Sequence, residues 1–290
     1  MANMKEIHSR MKSIKDIMKI TNAMYLISSS KMKKARKSLL DTAPYFEKMQ
    51  STIYDILLRA PHVQQVFFNK REEIKYEDRK RGYIVITADK GLAGAYNHNV
   101  IKLAEEEISK GIKNQIFVVG QVGRHYFMGK NIPIDHEFLY TAQNPSMYRA
   151  REITETVIDL YEKRELDEVY VIYTKMITSM KVEPQVLQIL PVERKKFERR
   201  KAGYVHASFL PSPKEVMNHL VPNYIKGIIF SVLIEAFSSE QSSRMIAMEA
   251  ATTSAKDMLK DLNLKYNRAR QSAITQEITE IVSGASSLNK

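Results

Sequence analysis

Apolar residues recur at both ends of this chain in alternating steps of four and three. A spacing that averages 3.5 residues places them on one seam of an α-helix, and two such seams wind around each other as a coiled coil. The N-terminal seam comprises Ile7, Met11, Ile14, Met18, Thr21, Tyr25, Ser28, Met32, Ala35, Leu39, Thr42, Phe46, Met49, Ile53 and Ile56. The C-terminal seam comprises Met245, Met248, Thr252, Ala255, Leu259, Leu262, Tyr266, Ala269 and Ala273. A long stretch of different pattern separates them, so the two helices are expected to pair antiparallel and to project from one globular body.

The predicted organisation has four segments. They are an N-terminal coiled-coil helix, a linker, an α/β globular domain and a C-terminal coiled-coil helix, at residues 1–60, 61–81, 82–211 and 212–290. At ~1.5 Å per residue the helices would be rods of about 80 and 100 Å. Pro44 is expected to kink the first helix. Ser212 followed by Pro213 predicts the start of the last one.

The middle of the chain alternates between strand and helix patterns. Runs rich in β-branched residues predict strands at 83–87, 115–119, 169–173 and 186–192. Helices are expected at 97–108 and 145–163, the second starting from Asn144 and Pro145. This alternation is typical of a mostly parallel, Rossmann-like α/β sheet.

Composition removes several classes of site. The chain of 290 residues has no cysteine, which excludes disulfides and thiolate sites, and its seven histidines are scattered. We therefore expect neither a metal nor a cofactor. The chain contains no run of about 18 apolar residues, so the sequence predicts no transmembrane helix. The absence of a signal or transit pattern leads us to expect a cytoplasmic, prokaryotic protein.

Positive charge is concentrated in the first helix. The formal net charge is +12, and residues 1–60 carry twelve Lys and Arg against five Asp and Glu. A cluster within two turns consists of Lys31, Lys33, Lys34, Arg36 and Lys37. Such a cluster favours an acidic partner, which includes nucleic acid, an anionic membrane surface or an acidic protein.

The only glycine-rich segment is DKGLAGAYN, at residues 89–97. It follows the first predicted strand and precedes a helix, which is where a phosphate-binding loop lies in many α/β enzymes. Its spacing fits neither the dinucleotide fingerprint nor a P-loop, so a structural turn is favoured. No Ser/His/Asp set or pair of carboxylates stands out, and the sequence predicts no catalytic centre.

Each terminal helix also carries a second apolar stripe off its seam. The stripes consist of Ile17, Ile20, Met24 and Ile27 near the start of the chain, and of Ile274, Ile278, Ile281, Ala285 and Leu288 near its end. One coiled-coil partner can cover only one seam. The second stripes therefore indicate either a dimer or larger bundle, or enclosure in an apolar sleeve formed by other subunits.

These residues resemble a known family. MKITNAM at 18–24 with KMKKA at 31–35, and YNRARQSAITQEITEIVSGA at 266–285, are similar to the two terminal signatures of the gamma subunit of the bacterial rotary (F-type) ATP synthase. The 89–97 segment resembles that family's central motif. The resemblance covers the whole chain in the correct order.

The resemblance implies a non-catalytic central-stalk subunit that transmits torque from an ion-driven membrane ring to the catalytic beta subunits. The implied partners are three alpha and three beta subunits, epsilon and the c-ring, on the cytoplasmic face of the cell membrane, with peripheral attachment, no membrane insertion and no nucleic acid. The implied contacts with beta are Met24, Lys90, Arg270, Gln271 and Thr275. The implied bearing surface is Ile17, Ile20, Ile27, Ile274, Ile278, Ile281 and Leu288. Phe209 and Leu210 are the implied contacts of the foot with the rotor ring.

Some positions depart from the family pattern, including Asn22 and Lys90, where lysine and arginine are commoner. These departures bear on the strength of the contacts between shaft and sleeve. The sequence does not identify the coupling ion. Two rival hypotheses remain: a basic coiled-coil protein that binds nucleic acid or acts as a scaffold, and an α/β enzyme that uses the 89–97 segment.

Overall fold

The computed structural model describes residues 4–110, 113–138, 142–178, 181–197 and 209–288, without the side chains of 196 and 285–288. Two long helices, α1 (Met4–Arg59) and α5 (Pro213–Leu288), are its largest elements. By its internal contacts the chain divides into two units. The coiled-coil unit is Met1–Ser28 with Arg244–Lys290, and the sheet unit is Ser29–Ser243. The division falls inside both long helices, whereas the sequence predicted boundaries at 60 and 212.

The coiled-coil unit has the predicted seam. Six of its seven buried residues among those described are predicted seam positions, namely Ile7, Met11, Thr21, Ser28, Met248 and Ala255; the seventh is Arg244, at the edge of the unit. The rings of His8 and Tyr266 lie 6.1 Å apart, and the hydroxyl oxygens of Thr21 and Thr252 lie 2.7 Å apart. From His8 to Thr21 the residue number rises along α1, while that of the contacting residue on α5 falls from 266 to 252. The helices therefore run antiparallel, as predicted.

The sheet unit contains five strands. They are β1 (Arg81–Ile86), β2 (Asn114–Val119), β3 (His136–Phe138), β4 (Glu168–Met176) and β5 (Val182–Leu190). The strand order is β3-β2-β1-β4-β5, with every pair parallel except β4 and β5. The helices between them are α2 (Tyr96–Ile108), α3 (Gln121–Gly129) and α4 (Met147–Glu162). The predicted Rossmann-like α/β class is therefore confirmed.

The fourth predicted strand differs from β5 in range, and its pairing with β4 is the antiparallel exception in a sheet predicted to be mostly parallel. The prediction left a gap from 174 to 185, which could hold a crossover between parallel strands. In the structure β4 continues to Met176 and β5 begins at Val182. A connection this short permits only an antiparallel pair. Two short elements, β3 and α3, were not predicted.

Two helix starts test the capping signals. The Ser212 hydroxyl accepts a hydrogen bond from the Glu215 backbone N–H at 3.2 Å, which confirms the predicted start of α5. The predicted cap of α4 at Asn144 is wrong by two residues, because Ser146 is the N-cap and accepts from the Arg149 N–H. Both long helices continue through their prolines, Pro44 and Pro222.

The sheet is covered on both faces. Ile84 and Ile86 point into a large core formed with α1, α4 and α5, whereas Tyr83 and Val85 point into a second core formed with α2 and α3. Within the described residues one helix, α5, contains a stretch that is long and apolar enough to cross a membrane, by length and composition alone. That apolar stretch is 61% buried inside the protein, as expected for a helix of the core.

The interpretation of 61–81 as a linker or exposed segment needs correction. Phe67 and Phe68 are buried in the large core, and Arg71 is only 4% exposed. The Arg71 guanidinium lies 2.6 Å from the Asp167 carboxylate and donates to the carbonyls of Tyr161 and Leu166. These contacts fix the segment against the amino end of β4.

Candidate partner-binding surfaces

The second apolar stripes are exposed in the coiled-coil unit. On α1 the exposed fractions are 50% for Ile17, 59% for Ile20 and 55% for Ile27. On α5 three further isoleucines, Ile274, Ile278 and Ile281, are exposed by 47%, 56% and 70%. The side chain of Leu288 lies outside the described residues. Exposed apolar stripes of this kind mark binding sites for another chain.

Off-seam apolar residues that the site prediction did not include enlarge this surface. Leu26, Met258, Leu264 and Val282 are all more than half exposed. Their signal in the sequence was the same one, an apolar residue outside the heptad seam. Met24 by contrast is half-buried beside the seam, so only part of its side chain is available to a partner.

The predicted polar contacts on α5 are exposed next to the apolar stripe. Arg270 lies four residues before Ile274, and Gln271 and Thr275 lie seven and three residues before Ile278. Helical spacing therefore places each polar side chain beside an exposed isoleucine. The Thr275 hydroxyl donates to the Gln271 carbonyl at 2.9 Å, which leaves its oxygen free to accept a hydrogen bond.

The basic cluster of α1 is exposed at all five positions, 31, 33, 34, 36 and 37, which lie in the sheet unit. None of the ion pairs found in the described part of the chain involves these residues. Their positive field is therefore directed to solvent or to an acidic partner.

The 89–97 turn uses its polar side chains internally. The Asp89 carboxylate accepts from the backbone N–H groups of Gln121 and Gln143, at 3.0 and 3.1 Å, and Asn97 accepts from that of Ala88 at 2.8 Å. Lys90 is exposed, in the sheet unit. The arrangement is a turn braced by its own side chains, as the sequence favoured.

The C-terminal helix lies at the crevice where a doubly wound sheet holds its ligand. Such ligands bind beyond the carboxyl ends of the strands at the point where the strand order reverses, here between β1 and β4. On the β1 side, the Tyr96 hydroxyl donates to the Ala236 carbonyl of α5 at 3.1 Å. On the β4 side, Glu235 of α5 accepts from the Met176 backbone N–H.

Burial sets the ionisation of the groups at this crevice. Desolvation raises the pKa of the Glu235 carboxyl, while the charge of Lys175 and the Met176 N–H oppose the shift. Burial, with a smaller effect of the Glu235 charge, raises the pKa of Tyr173 to about 12. Neighbouring α5 side chains are also buried, and within the part of the chain that the structure describes the hydroxyls of Ser238 and Ser239 have no hydrogen-bond partner.

The predicted foot contacts differ in exposure. Leu210 is 81% exposed, whereas Phe209 is half-buried and packs against the large core. Only Leu210 therefore presents most of its surface to a partner. Among the described residues no group of three or more His, Asp or Glu side chains could hold a metal ion.

These features define a subunit with a coiled coil that exposes apolar stripes of the kind that bind partner chains. The family model described as ATP synthase matches residues 3–288. The ATP synthase gamma chain of Ruminiclostridium cellulolyticum is 51% identical, with 99% of each chain covered. The gamma chain of Acetobacterium woodii, described as sodium ion specific, is 38% identical over 99% of each chain.

The chain belongs to the ATP synthase gamma family. It is thus a central-stalk rotor subunit, non-catalytic by itself, in the F1 part of a membrane-associated complex. The nucleic-acid alternative finds no support among these relatives.

Solved structures share the fold. A chain from the central stalk and c-ring of the Tetrahymena thermophila mitochondrial ATP synthase has a TM-score of 0.59 at 21% identity. That match covers 80% of this chain and 99% of the other. A chain of the Euglena gracilis mitochondrial enzyme has a TM-score of 0.54 at 14% identity, covering 92% and 95%.

Proposed function

We propose that the coiled-coil unit is a shaft that turns inside a sleeve of three alpha and three beta subunits. The observation that carries the proposal is the exposure of Ile17, Ile20 and Ile27 on α1 and of Ile274 and Ile281 on α5, while the seam between the helices is filled. Apolar contacts are non-directional, so such a surface can be enclosed and still rotate.

The polar residues beside this surface supply directional contacts. Arg270, Gln271 and Thr275 would hydrogen-bond a beta subunit at particular rotor angles, and Met24 would contact the same subunit through its exposed part. Lys90, on the braced turn of the sheet unit, is a further beta contact. Because the shaft is asymmetric, each beta subunit would meet a different face in turn, and its affinity for nucleotide would change accordingly.

The sheet unit would connect the shaft to the membrane rotor. Leu210, with Phe209 behind it, would contact the c-ring, and epsilon would bind the same unit. The exposed basic cluster at 31–37 would face an acidic segment of beta. In a bacterium the subunit would lie on the cytoplasmic face of the membrane and be held there through its partners. Burial of most of the apolar stretch of α5 supports attachment without insertion of that helix.

Reconstitution tests this proposal. The full chain is mixed with the alpha and beta subunits of a close relative, and co-elution and MgATP hydrolysis are measured. We expect a stoichiometric complex with high hydrolysis. Ile274→Glu should weaken co-elution, because it places a charge in the apolar sleeve.

The matched control is Ile177→Glu, which changes an isoleucine of nearly equal exposure, 45% against 47%, in the sheet unit. The control should assemble as the unchanged chain does. Failure of the unchanged chain to form a complex, or an equal loss with both variants, would contradict the proposal.

A further inference from the structure

The last part of α5 extends past its partner helix. The ring and hydroxyl contacts that set the register of the coiled-coil unit place Met4, the first residue of α1, opposite about residue 270. Residues 271–284, here called the α5 extension, therefore lie beyond the described start of α1. Every side chain from 274 to 284 is exposed, whereas the last seam positions that face α1 are half-buried.

The composition of the α5 extension disfavours a helix that stands alone. Six of its fourteen residues are β-branched. They are Ile274, Thr275, Ile278, Thr279, Ile281 and Val282. In the paired stretch of twenty-two residues before it, 248–269, only Thr252 and Thr253 are β-branched. β-branched residues lose side-chain freedom in a helix, and glycine, here Gly284, loses backbone freedom.

The local hydrogen bonds of the α5 extension offset this cost poorly. The hydroxyls of Thr275 and Thr279 each donate to the carbonyl four residues earlier, at 2.9 and 2.8 Å. Such bonds from a threonine to its own helix slightly destabilise it. Most helical stability in proteins comes from packing of an apolar face, and the paired part of α5 can nucleate the helix but cannot supply that packing.

A covering partner would supply the packing. Helical spacing places the four large apolar residues of the α5 extension within one stripe about 100° wide. They are Ile274, Ile278, Ile281 and Val282, exposed by 47%, 56%, 70% and 59%. One partner surface can therefore cover all four, and it favours the helical form because these side chains share a face only in a helix.

We propose that the α5 extension is helical only when the sleeve covers it, so that this end of the shaft folds as the subunit enters the ring of alpha and beta subunits. The inference rests on the proposed rotor function and adds to it a coupling between folding and assembly. Ordering the segment lowers the affinity for the sleeve, so a segment with a stronger intrinsic preference for helix binds more tightly. Without partners, the ordered part of α5 ends close to residue 270.

Amide exchange measures the folding step. The full chain is compared alone and in complex with the alpha and beta subunits of a close relative. Alone, the amides of 274–284 should exchange at least about tenfold faster than those of 255–269, because only the second stretch is held by α1. In the complex this difference should disappear.

Two substitutions at one position measure the coupling. Thr279 lies outside the apolar stripe, and Thr279→Ala and Thr279→Gly remove the same hydroxyl, but glycine is about fivefold less favourable than alanine in a helix. If the helix forms on binding, the alanine variant should bind the alpha and beta subunits about fivefold more tightly than the glycine variant. In a helix that is already formed, both changes would act equally on the free and the bound chain.

The matched control is the same pair of changes, Thr253→Ala and Thr253→Gly, at an exposed threonine of the paired stretch. These two variants should bind equally, because α1 holds that stretch in a helix before and after assembly. Titration of the alpha and beta subunits with each of the four chains measures the affinities.

Normal assembly with a protected α5 extension in the free chain, or with equal affinities of the two variants at Thr279, would overturn the coupling and leave the rotor function standing. Failure of the unchanged chain to assemble would overturn the proposed rotor function, and the coupling with it. The two failures are therefore distinguishable.

Discussion

The coiled-coil unit and the sheet unit use the same residue type in opposite ways. In the sheet unit Ile53 and Ile153 are completely buried, whereas Ile278 and Ile281 of the coiled-coil unit are 56% and 70% exposed. The difference follows from what is available to cover them. A sheet with helices on both faces encloses its side chains. Two paired helices cover only one seam each, and the register set by His8 with Tyr266 and Thr21 with Thr252 places Ile278 and Ile281 past the start of α1 at Met4. The sheet unit thus covers its own apolar side chains, whereas the coiled-coil unit leaves apolar side chains exposed.

Charged residues show the same contrast. The sheet unit buries Arg71 with Asp167, and Arg81 with Glu168. The ion pairs found on α1 in the coiled-coil unit are exposed and local, as in Arg10 with Glu6. Exposed pairs of this kind contribute little, whereas a buried charge that loses its partner is strongly destabilising.

Arg71→Leu should have the largest effect on the stability of the isolated chain. It leaves the Asp167 carboxylate, 5% exposed, without its cation, and we expect the free energy of unfolding of the sheet unit to fall by about 3–5 kcal/mol. Urea titration followed by tyrosine circular dichroism measures it. Arg10→Leu, at a side chain that is 68% exposed, is the control and should change stability by less than about 0.5 kcal/mol. Equal effects would erase the contrast between buried and exposed charge.

Ile153→Ala and Ile281→Ala compare the two environments with one substitution. We expect Ile153→Ala to cost about 3 kcal/mol, because it opens a cavity in the large core. Ile281→Ala should stay within about 0.5 kcal/mol in the isolated chain, since its side chain meets mainly solvent there. The same urea titration applies. A large loss with Ile281→Ala would mean that its stripe is covered within the chain itself.

The sequence predicted some of these features well and others poorly, for a physical reason. The seam was predicted almost residue by residue, because a heptad is a local pattern and each position reports its own face. The direction of β5 was not predictable from its β-branched run, because direction depends on the length of the connection and on pairing with β4.

Contacts between distant residues gave no local signal. Arg71 and Asp167 are 96 positions apart, and Tyr96 and Ala236 are 140 apart. In the sequence each looked like an ordinary charged or aromatic residue. The exposed stripes at Ile17 and Ile274 were predictable, because an apolar residue off the seam has no partner within a two-helix structure.

Thr21→Val and Thr252→Val should destabilise the chain less than Arg71→Leu or Ile153→Ala, and they test what holds the coiled-coil unit in register. The two hydroxyl oxygens lie 2.7 Å apart inside the seam, and each also lies within hydrogen-bond distance of a carbonyl of its own helix, at Met18 or Met248. Because each hydroxyl has one proton, one of them donates across the seam and the other donates to its own carbonyl. Either single change should cost about 1 kcal/mol, because one buried hydroxyl loses a partner. The double change should cost less than the sum of the two, since two apolar groups of the same shape replace the pair. Amide exchange of residues 14–28 and 248–260 measures all three.

If the double change equals the sum, the hydroxyls do not interact. A second outcome is a double change that costs less than the sum while protection of the amides from exchange becomes uneven along the seam. In that case the pair contributes specificity of register rather than stability, as a single polar position does in other coiled coils.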